Sequence, residues 1–175
     1  SRVRRQRQMC IRDRSNNDNI SAAVISRKTG GWWRQIILNK GSKDGVEIGS
    51  TVTGPGGLLG RVNNTSLFTA SVTLITSPES KLGVWVDRSQ INGLLVGSGD
   101  DHPSLILYSK EADIKVGDFV SSSPASSLLP PNIPIGIVKS IDETSQSKKT
   151  AKISLLAKPH FCLLYTSDAA DELSS

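Results

Sequence analysis

The side chains that could do chemistry are few in this chain, and their spacing argues against catalysis. Its two histidines are His102 and His160, its two cysteines Cys10 and Cys162. Neither histidine has a second His or Cys at ligand spacing, and a zinc site needs three or four such donors. Gly97-Ser98-Gly99-Asp100-Asp101-His102 contains a serine, acids and a histidine, the residue types of a serine protease. Side chains so close along the chain could hardly form the relay, and no Gly-Asp-Ser-Gly segment offers a nucleophile with an oxyanion hole. The stretch reads more simply as a polar hairpin turn. Gly54-Pro55-Gly56-Gly57 lacks the Lys-Ser/Thr of a phosphate loop, and no helix follows to bring a dipole to an anion. Lys40 stands before a turn glycine, as in hairpin carrier domains, without the flanking pattern of biotin or lipoyl carriers. Asp44 and Glu47 could be paired carboxylates; a turn and a solvent face explain them better. The expectation is a non-enzyme with no catalytic, cofactor or metal site.

The two ends need separate treatment before charge or composition is interpreted. Cys162 to Glu172 can be encoded by a DNA string whose reverse complement, read one base in, encodes Arg4 to Asp13. Two unrelated protein ends would not be each other's antisense, and the string resembles the adapter of transposase-based sequencing libraries. Residues 1–14 and 162–175 are therefore read as translated adapter and set aside from fold reasoning. The chain carries a formal charge of +5, but residues 1–14 contribute six arginines and one aspartate, and residues 162–175 three acids, which leaves 15–161 at +3. Scattered lysines without interleaved aromatics make a poor nucleic-acid surface, so none is expected as partner. Both cysteines fall in the adapter stretches, which removes disulfides from the account.

What remains must be positioned by β structure. Gly and Pro interrupt every apolar run within about ten residues, and no window shows a helical period. Ala22–Arg27, Ile36–Leu38, Thr51–Thr53, Leu58–Val62, Ala70–Thr76, Leu82–Arg88, Ile91–Val96, Leu105–Tyr108, Gly136–Ile141 and Ala151–Leu156 read as strands. Val46 and Ile48 are expected to alternate towards a core. Val46-x-Ile48-Gly49-x-x-Val52 lines up with Ile114-x-Val116-Gly117-x-x-Val120, and each is followed by a Gly-x-Val return, Gly60-Arg61-Val62 and Gly136-Ile137-Val138. The paired glycines are 11 residues apart in the first copy and 19 in the second, the difference falling in a Ser/Pro-rich loop. Two copies of one unit predict an all-β chain of two small tandem barrels. The first spans residues 15–75 and the second 76–161, with a return of the last strands to the first barrel left as the alternative. Trp32-Trp33 reads either as aromatics packing a barrel mouth or as an exposed partner surface.

Taken in order, Lys40-Gly41-Ser42-x-Asp44-Gly45-Val46-x-x-Gly49, Gly57-Leu58-x-Gly60-Arg61-Val62, Leu74-Ile75-Thr76-x-Pro78, Ile114-x-x-Gly117-Asp118-x-Val120 and Pro134-x-Gly136-x-Val138 closely resemble the periplasmic region of the MreC family of rod shape-determining proteins. The resemblance runs from about Ala23 to Leu156. The tryptophan pair and the Gly-Pro-Gly-Gly turn are similar to its cyanobacterial branch. Ser121-Ser122-Ser123-Pro124 departs from the family's Thr-Ser-Gly or Ser-Ser-Gly turn.

The resemblance implies a scaffold of cell elongation on the periplasmic face of the bacterial inner membrane. A membrane span and a dimerising coiled coil would precede two six-stranded barrels. Implied partners are further copies, the class B penicillin-binding protein, MreD, RodA and MreB. Edge strands and loops of the barrels would make the contacts, with Trp32, Trp33, Phe68, Leu128, Leu129, Pro130, Pro131 and Pro134 the candidates. Lys40, Gly41, Asp44, Gly45, Gly49, Gly60, Pro78, Gly117, Asp118 and Gly136 identify the fold instead. The competing readings are a β-barrel binding module for glycan or peptide and a degenerate protease-like hydrolase.

Overall fold

A computed structural model of the chain describes residues 8–12, 19–28 and 34–157. Six strands, β1 (Gln8–Arg12), β2 (Asn19–Lys28), β3 (Gln35–Leu38), β4 (Thr51–Gly54), β5 (Gly57–Thr65) and β6 (Ala70–Leu74), form one antiparallel barrel. Six more, β7 (Lys81–Val86), β8 (Asn92–Val96), β9 (Ser104–Leu107), β10 (Phe119–Ser122), β11 (Pro134–Asp142) and β12 (Lys149–Leu155), form another. Neighbours in the first run β1-β2-β3-β6-β5-β4, with β4 closing on β1; the second repeats this order as β7-β8-β9-β12-β11-β10. Both barrels are closed, so the edge strands expected to recruit partners do not exist among the described strands. Closure pairs every row of backbone groups that an edge would have offered.

Sequence patterning explains the inward faces. Ala70, Val72 and Leu74 are buried on β6 while Ser71 and Thr73 face outward, and β7 buries Leu82, Val84 and Val86 against outward Trp85. The repeat holds in burial at its apolar anchor positions as well as in its order, although Thr51 is buried where its counterpart Phe119 is exposed. Val46 and Ile114 are buried, Val52 and Val120 are buried, and Gly49 and Gly117 take φ of +91° and +97°. Each of these glycines donates its N–H to the returning strand, Gly49 to Val62 O at 2.8 Å and Gly117 to Val138 O at 2.9 Å. The expectation that Ile48 points to a core is corrected: Ile48 is 66% exposed and its counterpart Val116 65%. A 3-10 turn at Ser42–Asp44 and the left-handed Gly45 and Gly49 interrupt the extended chain here, so period-two alternation does not carry past Val46.

Residues 8–12, set aside above as adapter, pair as β1 with β2 and β4 and complete the first barrel. Backbone pairing asks of a strand chiefly that it lie extended, so a slot between two strands places few demands on side-chain identity. At the other end of the fold β12 pairs with β11 and β9, within the second barrel. What returns to the first barrel is the side chain of Ala157, buried in its core.

A bulge makes the junction between barrels. Thr53 pairs with Leu58 and Val52 with Gly60, leaving Leu59 as the extra residue on β5. The bulge shifts side-chain parity: Leu59 enters the first core while Leu58, its neighbour in sequence, enters the second. Ile75, just past β6, also lies in the second core, so plugs cross in both directions. The β4–β5 hairpin approaches the other barrel so closely that a Cβ on Gly57 would run into the Pro134 carbonyl, and one on Gly56 would stand 2.5 Å from Leu156 O. Arg34 Nη1 and Asp101 add an ion pair across the junction at 2.9 Å. Among the described residues no helix is long and apolar enough to cross a membrane.

Candidate partner-binding surface

The surface is built by the loops, since the strands are consumed by closure. At the end of the first barrel away from the second, the β5–β6 turn places Leu67 and Phe68 63% and 61% exposed. Lys43 Nζ stands 5.3 Å from the Phe68 ring centroid. Lys40 and Gly41 lead into the turn at Ser42–Asp44, where Asp44 Oδ2 accepts from the Gly41 N–H at 3.1 Å. The sequence reading named Phe68 as a partner contact and did not name Leu67, which is equally exposed. The signal was available, as two apolar residues in a row between the turn formers Ser66 and Thr69.

In the second barrel the candidate loop is anchored on one side. Ser122 Oγ donates to Pro130 O at 2.6 Å and accepts from the Ile133 N–H at 2.8 Å. Ser123 Oγ bonds Asn92 Oδ1 and accepts from the Ala125 N–H at 3.1 Å. The serines that depart from the family turn thus clamp the loop from within. Leu129 and Ile133 are buried in the second core, whereas Leu128, Pro131 and Pro134 are exposed and Pro130 is half-buried. Trp32 and Trp33 lie outside the described residues. Gly60 and Gly136 sit at equivalent places on β5 and β11, and Pro78 in the connection to β7. Tyr108, Val116 and Phe119 are exposed on the second barrel, and sequence reasoning proposed none of them.

Charge is concentrated at the foot of β10. Arg88 Nε and Nη2 bond Asp118, while Nη1 and Nη2 bond Asp113 at 2.8 and 3.0 Å. These hydrogen bonds hold both carboxyls below the usual carboxylate range and raise the guanidinium further. The cluster ties the β7–β8 turn to the loop before β10. It is structural in character, because every strong donor is already matched to an acceptor.

The serine, acid and histidine near residue 100 do not form a relay. Ser98 Oγ lies 2.7 Å from Asp100 Oδ1 and 2.9 Å from the His102 carbonyl, two acceptors that share its one proton, while His102 Nε2 faces Lys139 Nζ at 3.2 Å. A nucleophile needs its hydroxyl on the imidazole, and here the hydroxyl is spent on closing a turn. The Ser98 bond, with the His102 backbone N–H, also lowers the Asp100 pKa. No cluster of metal-ligating side chains occurs among the described residues. A cleft of about 320 Å³ lies between β5, β6 and the start of β7, lined by Ile48, Arg61, Thr73, Glu79 and Lys81.

Comparison with known proteins adds sequence and structural likeness. Residues 24–161 match the family model described as "Rod shape-determining protein MreC, barrel core". The cell shape-determining protein MreC of Listeria monocytogenes is 33% identical over 130 residues, which are 71% of this chain and 44% of that protein. The chain thus spans less than half the length of that relative. A solved MreC structure from the same species superposes with a TM-score of 0.73 at 30% identity, covering 81% of this chain and 70% of the other. Two more distant structures share the fold. One is the major periplasmic domain of the cell shape-determining filament MreC, with a TM-score of 0.70 at 22% identity over 93% of this chain and 95% of that one. The other belongs to the complex between Penicillin-Binding Protein (PBP2) and MreC from Helicobacter pylori, with a TM-score of 0.52 at 13% identity over 89% and 91%.

Proposed function

The chain belongs to the MreC family of rod shape-determining proteins, and from that premise we propose that it is a non-catalytic scaffold of the machinery that elongates the cell wall. The observation that carries the reading is the match of the family's barrel core across both barrels, residues 24–161. The scaffold acts on the periplasmic face of the inner membrane, held there by a span and a coiled coil upstream of the barrels. It self-associates and binds the class B penicillin-binding protein, working beside MreD, RodA and MreB. Support for the synthase as partner comes from the fold shared with the PBP2–MreC complex, and for self-association from the fold shared with the MreC filament protein.

Activation follows if the scaffold binds the synthase's active conformation more tightly than its inactive one, since a ligand shifts an equilibrium only by its differential affinity. With no free strand edge among the described strands, the contacts fall on Phe68, on the exposed side of the Leu128–Pro134 loop, and on Trp32 and Trp33, which lie outside the described residues. Two barrels locked by crossed plugs suit this task, because a rigid body transmits a bound partner's orientation without bending at the junction.

The test replaces the barrels of a rod-shaped relative by residues 8–161, so that β1 is kept, and measures both cell shape and binding of the purified chain to the class B penicillin-binding protein of the same genome. Rod shape and binding are expected. Round cells together with no binding would overturn the scaffold reading. Sedimentation with purified wall material in the absence of synthase binding would move the function to a glycan-binding barrel.

A further inference from the structure

We propose that the β5–β6 turn is a membrane-contact tip, with Leu67 and Phe68 entering the interface of an anionic bilayer and Lys40 and Lys43 meeting its headgroups. The inference goes beyond the scaffold reading and rests on the geometry of this one tip.

The fold holds the tip rigidly in place. Ser42 N–H donates to Ser66 O at 2.8 Å and Lys43 N–H to Leu67 O at 3.1 Å, so two backbone bonds fasten the turn to the neighbouring loop. Ser66 N–H donates to Thr69 O at 2.9 Å, and the two hydroxyls of that pair bond each other at 2.5 Å. Gly41 lets the loops meet, because a Cβ there would stand 2.6 Å from the Thr69 nitrogen and 2.7 Å from the Leu67 carbonyl carbon. Two large apolar side chains are thereby kept in solvent by a backbone that has no freedom to tuck them away.

The second barrel supplies an internal control. Its equivalent turn, between β11 and β12, runs Glu143-Thr144-Ser145-Gln146-Ser147-Lys148 and carries no apolar residue at all. The same topology closes without a hydrophobic tip, so folding does not require Leu67 and Phe68 to be apolar. Their exposure calls for an explanation outside the fold.

Charge selects the partner. Lys43 lies against Phe68 and Lys40 precedes the pivotal glycine, while the nearest acid, Asp44, has one carboxylate oxygen turned back onto the Gly41 amide. The other acid of this loop, Glu47, lies beyond Gly45 in the next turn. Apolar residues flanked by lysines on a convex tip match a bilayer interface, where the rings sink to the acyl boundary and the ammonium groups remain among phosphates. A convex tip of two side chains is also far smaller than a standard protein interface.

The test is sedimentation of the full chain with phosphatidylglycerol/phosphatidylethanolamine vesicles, against phosphatidylcholine vesicles, with Leu67→Ser/Phe68→Ser and Lys40→Gln/Lys43→Gln variants. The six arginines of residues 1–14 give every variant the same electrostatic background, which high salt suppresses while apolar insertion persists. Losing both apolar side chains should weaken salt-resistant binding at least about tenfold, and each lysine should contribute about fivefold at low salt. Leu67, Phe68 and Lys43 are exposed and Lys40 is half-buried, and an unchanged thermal transition in both variants confirms that folding is intact. Equal vesicle binding by wild type and the Ser/Ser variant overturns the proposal. So does loss, in that variant, of binding to a second copy or to the synthase while wild type ignores vesicles, which would make the tip a protein contact.

Discussion

Leu58 and Leu59 are adjacent, both fully buried, and serve different barrels. Leu58→Ala and Leu59→Ala remove the same atoms one residue apart and should therefore weaken different halves of the molecule. Each deletes a buried isobutyl group down to a methyl, leaving a cavity in a closed core, which costs about 2–5 kcal/mol. For a chain of this size that corresponds to a fall of roughly 5–15 °C in Tm. Bulk unfolding would not separate the two variants, so the assay is amide hydrogen exchange followed by peptide. Leu58→Ala should accelerate exchange in β7–β12, the strands whose inward side chains share its cluster, with β3 and β6 less affected. Leu59→Ala should do the reverse. The reasoning fails if Leu58→Ala leaves β7–β12 protected and loosens only β1–β6, for then the bulge has not redirected the side chain and the barrels are not plugged into one another.

Gly57→Ala should destabilise by at least about 1 kcal/mol, because its Cβ meets the Pro134 carbonyl, with the loss read by denaturant titration and concentrated at the junction in hydrogen exchange. Folded-state depression of the Asp113 and Asp118 pKa values stabilises the native state above the unfolded carboxylate value of about 3.9 and is lost as pH falls through the lower folded values. Stability measured down an acid series should accordingly drop more steeply in wild type than in Arg88→Gln, which removes the cause of the depression; identical slopes would show that the cluster does nothing for folding. Ser98 should resist a fluorophosphonate probe in the folded chain, since its hydroxyl is committed to Asp100 and the His102 carbonyl; stoichiometric labelling would reopen the hydrolase reading.

The repeat was legible because it is written in turn chemistry. A glycine that must adopt positive φ, followed at fixed spacing by valines of the next strand, marks the same point in each copy, and Gly49 and Gly117 do share one conformation and one hydrogen bond. Alternation in β6, β7 and β12 likewise follows from local pattern, because a half-buried strand selects residues by twos. Ile48 was misread on that same rule, applied across a segment where the chain turns instead of extending. The Ser122–Ser123 clamp was visible only as a departure from the family turn, since the partners of those hydroxyls lie at residues 92, 125, 130 and 133.

By itself the sequence determined the class, the count of repeats and the family, all of which depend on local backbone preference and on the order of motifs along the chain. Tertiary structure alone decided which strand closes on which in each barrel, that a bulge sends Leu58 and Leu59 into opposite cores, and that Ile75 and Ala157 cross between barrels. It also decided which apolar side chains stay in water. Those outcomes depend on contacts between residues far apart in sequence, and a leucine committed to its own barrel, one committed to its neighbour and one held out on a tip carry the same local signal.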